Sequence, residues 1–131
     1  MFVINIERKI IFRAKEIETF DWIYGDLLRK PTNNGVVYFI VTYDMDNVPI
    51  MNAVVPETVG QFTGLYDKNN NMIFEGDVVK KRTYNGIEDC IVRFDGGMFH
   101  CGYGGGSSTP NHRYTLEDKR IEVIGNVYKD R

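Results

Sequence analysis

Thr63-Gly-Leu-Tyr-Asp-Lys-Asn-Asn-Asn-Met-Ile-Phe-Glu-Gly-Asp-Val-Val-Lys80 carries the punctuation of a small β fold. Residues 67–71 are a polar turn between two short apolar pieces, and Glu75-Gly76-Asp77 then turns the chain into a β-branched run. Clustered Asp, Asn and Gly between such pieces mark strand connections, because these residues tolerate positive φ and hydrogen-bond their own backbone. An echo follows at Glu122-Val-Ile-Gly-Asn-Val-Tyr128. The pattern specifies an architecture but carries no chemistry.

The chain of 131 residues has the size of one domain, and all-β chains of this length also divide into two lobes. Hydrophobic residues at 43% and charged residues at 26% are ordinary globular values, which excludes a disordered or fibrous protein. Thirteen Gly, eight Tyr and eight Phe, with many Val and Ile, favour strands and tight turns over helices. A net charge of −2 argues against coating nucleic acid by bulk positive charge, leaving only a local basic patch for that role. Cys90 and Cys101 lie in a sequence without a basic leader and apolar h-region, so free thiols in a cytoplasm are expected. No apolar run approaches the ~20 residues that span a bilayer, and no membrane partner is expected.

Outward from the deciding stretch, strands are predicted over residues 2–6, 9–13, 22–28, 36–43 and 50–55, with a polar connection at 15–21. Gly25 interrupts the third of these, where a bulge or a close backbone approach is the usual reason for Gly. Pro31-Thr-Asn-Asn-Gly35 and residues 44–49 read as turns, and residues 56–60 as a single helical turn stopped by Gly60. Residues 77–82, 88–94 and 98–103 form a meander through Asn85-Gly86 and Asp95-Gly96-Gly97. Its alternation puts Cys90, Val92 and Phe94 on the core face and Arg93 opposite. Residues 102–110 read as a loop, 115–120 as a helical turn, and 122–128 as a closing strand. The expected fold is mainly β, with small antiparallel sheets or a barrel, an SH3-like C-terminal part and at most short helical turns. One domain over residues 1–131 is expected, with two β lobes dividing near residue 56 as the alternative.

Candidate chemistry is sparse. Glu75 and Asp77 are a carboxylate pair, but residues two apart in a turn need further ligands to bind a cation, and turn geometry itself demands Asp and Gly. A hydrolase or metal enzyme would centre on Glu75, Asp77 or Asp95 and require a divalent cation. Cys90, His100, Cys101 and His112 lack the short spacings that put two zinc ligands on one turn; a buried thiol and solvent-facing imidazoles are the ordinary reading. The run Gly102-Tyr-Gly-Gly-Gly-Ser-Ser-Thr109 has no Lys beside its hydroxyls, so it reads as a loop and not a phosphate cradle. Lys80, Lys81 and Arg82 beside Tyr84, and Arg8-Lys9 beside Phe12-Arg13, combine cations with aromatics as single-strand nucleic-acid sites do. Alternating charges on the wet face of a strand produce the same pattern. Trp22 and Tyr24 share a parity and are expected against the core; exposed, they and Tyr103 would be protein contacts.

Arg8-Lys-Ile-Ile-Phe-Arg-Ala14, Trp22-Ile-Tyr-Gly-Asp-Leu-Leu28, Pro56-Glu-Thr-Val-Gly-Gln-Phe-Thr-Gly-Leu65, Ile73-Phe-Glu-Gly-Asp-Val-Val79 and the closing residues 122–128 together resemble the YopX family. The resemblance covers nearly the whole chain in matching order. It implies a small, mainly β protein carried by bacteriophages and prophages, and it supplies no catalytic residues. Relatives commonly place an aromatic residue where this chain has Lys15. The expectation is a noncatalytic accessory protein in the bacterial cytoplasm. It needs no cofactor and binds a host or phage protein, with self-association as one means of covering exposed strand edges. The alternative is a nucleic-acid-binding β module using Lys80, Lys81, Arg82 and Tyr84.

Overall fold

The computed structural model describes residues 8–83, 86–103, 116 and 120–128. The chain divides into two compact units between Gly64 and Leu65. The described strands pair antiparallel in two sheets, and helix among the described residues is limited to one short turn, as expected for a mainly β protein. Neither sheet closes into a barrel along its described strands. The expected strand at 2–6, the loop beyond residue 103 and the helical turn at 115–120 lie mostly or wholly outside the described residues.

The first unit contains β1 (Phe12–Lys15), β2 (Trp22–Thr32), β3 (Gly35–Tyr43), β4 (Pro49–Ala53), a 3-10 turn at Pro56–Thr58 and most of β5 (Gly60–Tyr66), ordered β4-β3-β2-β1-β5. β2 changes partner midway: Trp22 to Gly25 pair with β1, whereas Asp26 to Thr32 pair with β3. Gly25 sits at that change, and a Cβ there would lie 2.2 Å from the Val41 carbonyl oxygen. The glycine thus marks the close backbone approach its position in the strand suggested. Ala14, Ile40 and Val54 are fully buried, flanked by Phe12, Ile23, Leu27, Tyr38 and Val59. Burying a side chain of Ile40's size stabilises by about 2 kcal/mol. Thr58 fastens the 3-10 turn: its Oγ1 accepts from Lys15 N at 2.8 Å and donates to Val55 O at 2.7 Å.

One sequence expectation is corrected here. Lys15, expected to open a polar connection, instead ends β1 and is 8% exposed, and Arg13 beside it is 6% exposed. Their aliphatic stems pack inward while the charged heads lie over aromatic rings, which keeps the cations favourably placed without full hydration. The tip of the β2–β3 hairpin also departs from an ordinary half-buried sheet. Residues 28–37 are exposed on both faces, because β4 reaches only Phe39 and β1 only Gly25.

The second unit holds the end of β5, β6 (Met72–Phe74), β7 (Asp77–Thr83), β8 (Gly86–Asp95), β9 (Met98–Tyr103) and β10 (Glu122–Asn126). Its four-stranded sheet runs β10-β7-β8-β9. The β8–β9 turn uses Gly96 and Gly97 at φ of 58° and 81°, the primed geometry that matches strand twist. The core is Ile73, Val79, Cys90, Val92, Cys101, Leu116 and Ile121. Phe94, expected on this core face, is 51% exposed. It lies next to the turn, past the covering residues, and instead meets Phe99 edge-on at 4.9 Å.

Asp67 joins the deciding turn to its C-terminal echo. Its Oδ1 accepts from the amides of Asn69 and Asn71 at 2.9 and 2.8 Å, and its Oδ2 from Val123 N at 2.9 Å and Asn71 Nδ2 at 3.2 Å. Lys68 N adds a bond to Ile121 O at 2.9 Å. Burial disfavours the Asp67 carboxylate, but the bonds from Val123, Asn71 and Asn69 outweigh it and hold its pKa below the ordinary value.

Candidate interaction surfaces

β7 alternates Val79 inward, Lys80 outward, Lys81 inward and Arg82 outward. The basic run is therefore unevenly exposed: Lys81 is 6% exposed and stands opposite Glu88, whereas Lys80 and Arg82 face solvent. Lys80 is flanked across the sheet by Asp89 and Glu122. Lys68 and Arg120, which the sequence reading did not include, join Lys80, Lys81 and Arg82 around a depression of about 140 Å³ whose one carboxylate among the described residues is Glu122. Lys68 Nζ lies 3.2 Å from that carboxylate. Tyr84 and the side chain of Tyr103 lie outside the described residues.

Trp22 and Tyr24 belong to the first unit and the basic run to the second. Trp22 is half-buried, with the Arg13 guanidinium 4.2 Å and the Lys15 ammonium 4.6 Å from its ring centre. Lys15 also lies 4.9 Å from the Phe20 ring, so the cation sits between two aromatic rings. Tyr24 is 49% exposed instead of packed in the core. It pairs across the sheet with Arg13, and its ring borders solvent.

The acidic candidates are used by the fold. Asp77 is buried, its Oδ2 accepting from Phe74 N at 2.8 Å, and Gly76 between the carboxylates has φ of 92°. This is the hydrogen-bonded turn that Asp and Gly make at a strand entrance. Glu75 lines a separate depression of about 440 Å³ with Arg93, Asp95 and Tyr128. Among the described residues no three His, Cys, Asp or Glu side chains are grouped to hold a metal ion.

His100 corrects the expectation of a solvent-facing imidazole: it is 1% exposed, with Nε2 2.7 Å from Asp95 Oδ1. Its neighbour Cys101 is also buried, so β9 is covered on both faces and alternation alone misplaces the imidazole. Cys90 and Cys101 are free, fully buried thiols. The hydrogen bond with Cys90, together with burial, pushes the Cys101 thiol far above its usual range. Both thiols should resist a colourimetric thiol reagent in the folded protein and react together after denaturation. Prompt modification of either one in native buffer would contradict this packing.

The surface that sequence reading passed over is β4 and its connections. Tyr43, Met45, Val48, Ile50 and Met51 are between 44% and 101% exposed, and Ile17 is 56% exposed. Among the described residues one isolated antiparallel bridge, Glu16↔Val54, meets the far side of this edge. The available signal was residues 43–57, an apolar-rich stretch whose charged residues are Asp44, Asp46 and Glu57, without any Lys or Arg.

Comparison with known proteins agrees with this architecture. No curated protein matches the chain. The protein EF1440 from Enterococcus faecalis, known from a crystal structure, is 18% identical, with a TM-score of 0.53 over 94% of this chain and 96% of that one. At that identity the likeness concerns the fold alone. The family profile described as "YopX protein" matches residues 11–131, nearly the whole sequence, and the chain belongs to the YopX family.

Proposed function

We propose that the protein is a noncatalytic accessory of a phage or prophage, acting in the bacterial cytoplasm by binding a host or phage protein. Exposed apolar side chains on β4 and the turn before it carry this reading: Tyr43, Met45, Val48, Ile50 and Met51 all lie within a single hairpin, Ile50 and Met51 on its two faces. Single surface apolar residues are ordinary, whereas several large ones gathered in one hairpin are a recurrent mark of protein contact. Self-association is one way of covering the same residues. The test is affinity capture from lysate of phage-bearing host cells, with and without nuclease. A stoichiometric protein retained after nuclease, whose binding slows amide exchange over residues 43–51, supports the reading. Loss of every partner on nuclease treatment overturns it.

A second reading, nucleic-acid binding, is favoured by Lys68, Lys80, Arg82 and Arg120 around one depression. It predicts a linear fall of log affinity for single-stranded DNA with log salt, with a slope of about −0.7 per phosphate neutralised. Charge reversal in Lys80→Glu should make that slope shallower by about 0.7, the share of one phosphate contact. An unchanged slope would remove Lys80 from any such interface.

A further inference from the structure

We propose that the outer edge of β4 receives an extended segment of a partner protein in which Lys or Arg alternates with apolar residues. This rests on the protein-binding reading above and names the chemistry of its partner. At the end of β4, Ile17 N donates to Ala53 O at 3.1 Å and Val55 N to Lys15 O at 2.9 Å, so the odd-numbered residues turn their backbone groups outward. Two residues earlier in the same strand, Met51 presents its N–H and C=O to that same side. No further strand lies beside β4 there among the described residues. Pro49 has no N–H to offer, which centres any docked strand on Met51.

A groove of about 240 Å³ runs beside this edge, lined by Ile17, Met51 and Ala53 together with Glu16, Glu18 and Asn52. Ile17 and Met51, each more than half exposed, supply apolar contact for alternate side chains of an added strand. The charge around the groove selects the rest. Residues 16–21 and 43–57 contain Glu16, Glu18, Asp21, Asp44, Asp46 and Glu57 and no Lys or Arg. Phosphate-bearing partners are repelled by such a surface, whereas a cationic strand is drawn to it. Native edges are commonly blunted by Lys, and β4 itself carries none.

The test uses a fluorescein-labelled synthetic peptide of alternating Lys and Val, with a Glu-for-Lys counterpart, titrated with the whole protein and followed by anisotropy. Saturable one-to-one binding is expected for the Lys peptide, at least about tenfold weaker for the Glu peptide. Met51→Pro removes the outward N–H together with the Met51 side chain, both on the docking side, and should abolish binding while circular dichroism and thermal unfolding remain close to wild type. Glu18→Lys, at an exposed position, should weaken it severalfold without touching the strand. Equal binding of both peptides, no binding of either, or undiminished binding by Met51→Pro overturns the proposal. So does a dimer that Met51→Pro dissolves, since a second copy then occupies the edge. If the peptides fail while lysate capture still yields a nuclease-resistant partner, the chemistry assigned to this edge is wrong and the protein-binding reading survives.

Discussion

Gly25→Ala should lower the unfolding free energy by about 3 kcal/mol, at the upper end of overpacking costs. The added Cβ would stand 2.2 Å from Val41 O and 3.2 Å from Ile40 Cγ2. The obstructing atom is backbone, so no rotamer change can clear it. Relief requires β2 and β3 to separate where β2 changes partner, which loosens the packing around buried Ile40. Gly125→Ala is the matched control, because nothing lies within 4 Å of its Cβ position. Urea unfolding of both variants gives the comparison. Equal midpoints for Gly25→Ala and wild type would mean the strands do not approach as described.

Asp67→Asn is the second large effect, expected at about 2–3 kcal/mol near neutral pH. Its Oδ2 accepts from Val123 N and Asn71 Nδ2, its Oδ1 from the amides of Asn69 and Asn71. An amide side chain keeps one acceptor oxygen but turns an NH₂ toward donors, leaving buried N–H groups unpaired. The pH dependence follows from the lowered pKa of Asp67. A carboxyl whose folded pKa lies below its unfolded one contributes fully above the unfolded value, ordinarily 3.8, and loses that contribution as pH falls through the folded value. Wild type and variant should therefore differ most at neutral pH and converge in acid below 3.8. A gap that stays constant down to pH 2 would show that the carboxylate's charge is not what the turn uses.

The meander was legible because local and global signals agree there. β-branched alternation, Asn85-Gly86 and Gly96-Gly97 each point to antiparallel strands, and β7, β8 and β9 fall within a few residues of the expected bounds. The 3-10 turn at Pro56–Thr58 was readable from Pro56 and Gly60 for the same reason. Alternation failed at His100 and Phe94, since it reports parity and not which face is covered at a given point along a strand. The basic run shows the same parity: Lys80, Lys81 and Arg82 are consecutive in β7, so Lys81 is buried while its two neighbours are exposed.

By itself the sequence determined the β class, the turn positions and the family, because turn conformation and strand parity depend on neighbouring residues. Only the tertiary structure decided which charges are buried. Arg13 and Lys15 are drawn in by the ring of Trp22 on the neighbouring strand, and Asp67 by an amide 56 residues away. It also decided the candidate surface. A strand becomes an exposed edge by its rank in the sheet, and β4 holds that rank because nothing continues the ladder beyond it among the described residues. Rank in a sheet is a property of long-range pairing, which no local pattern encodes.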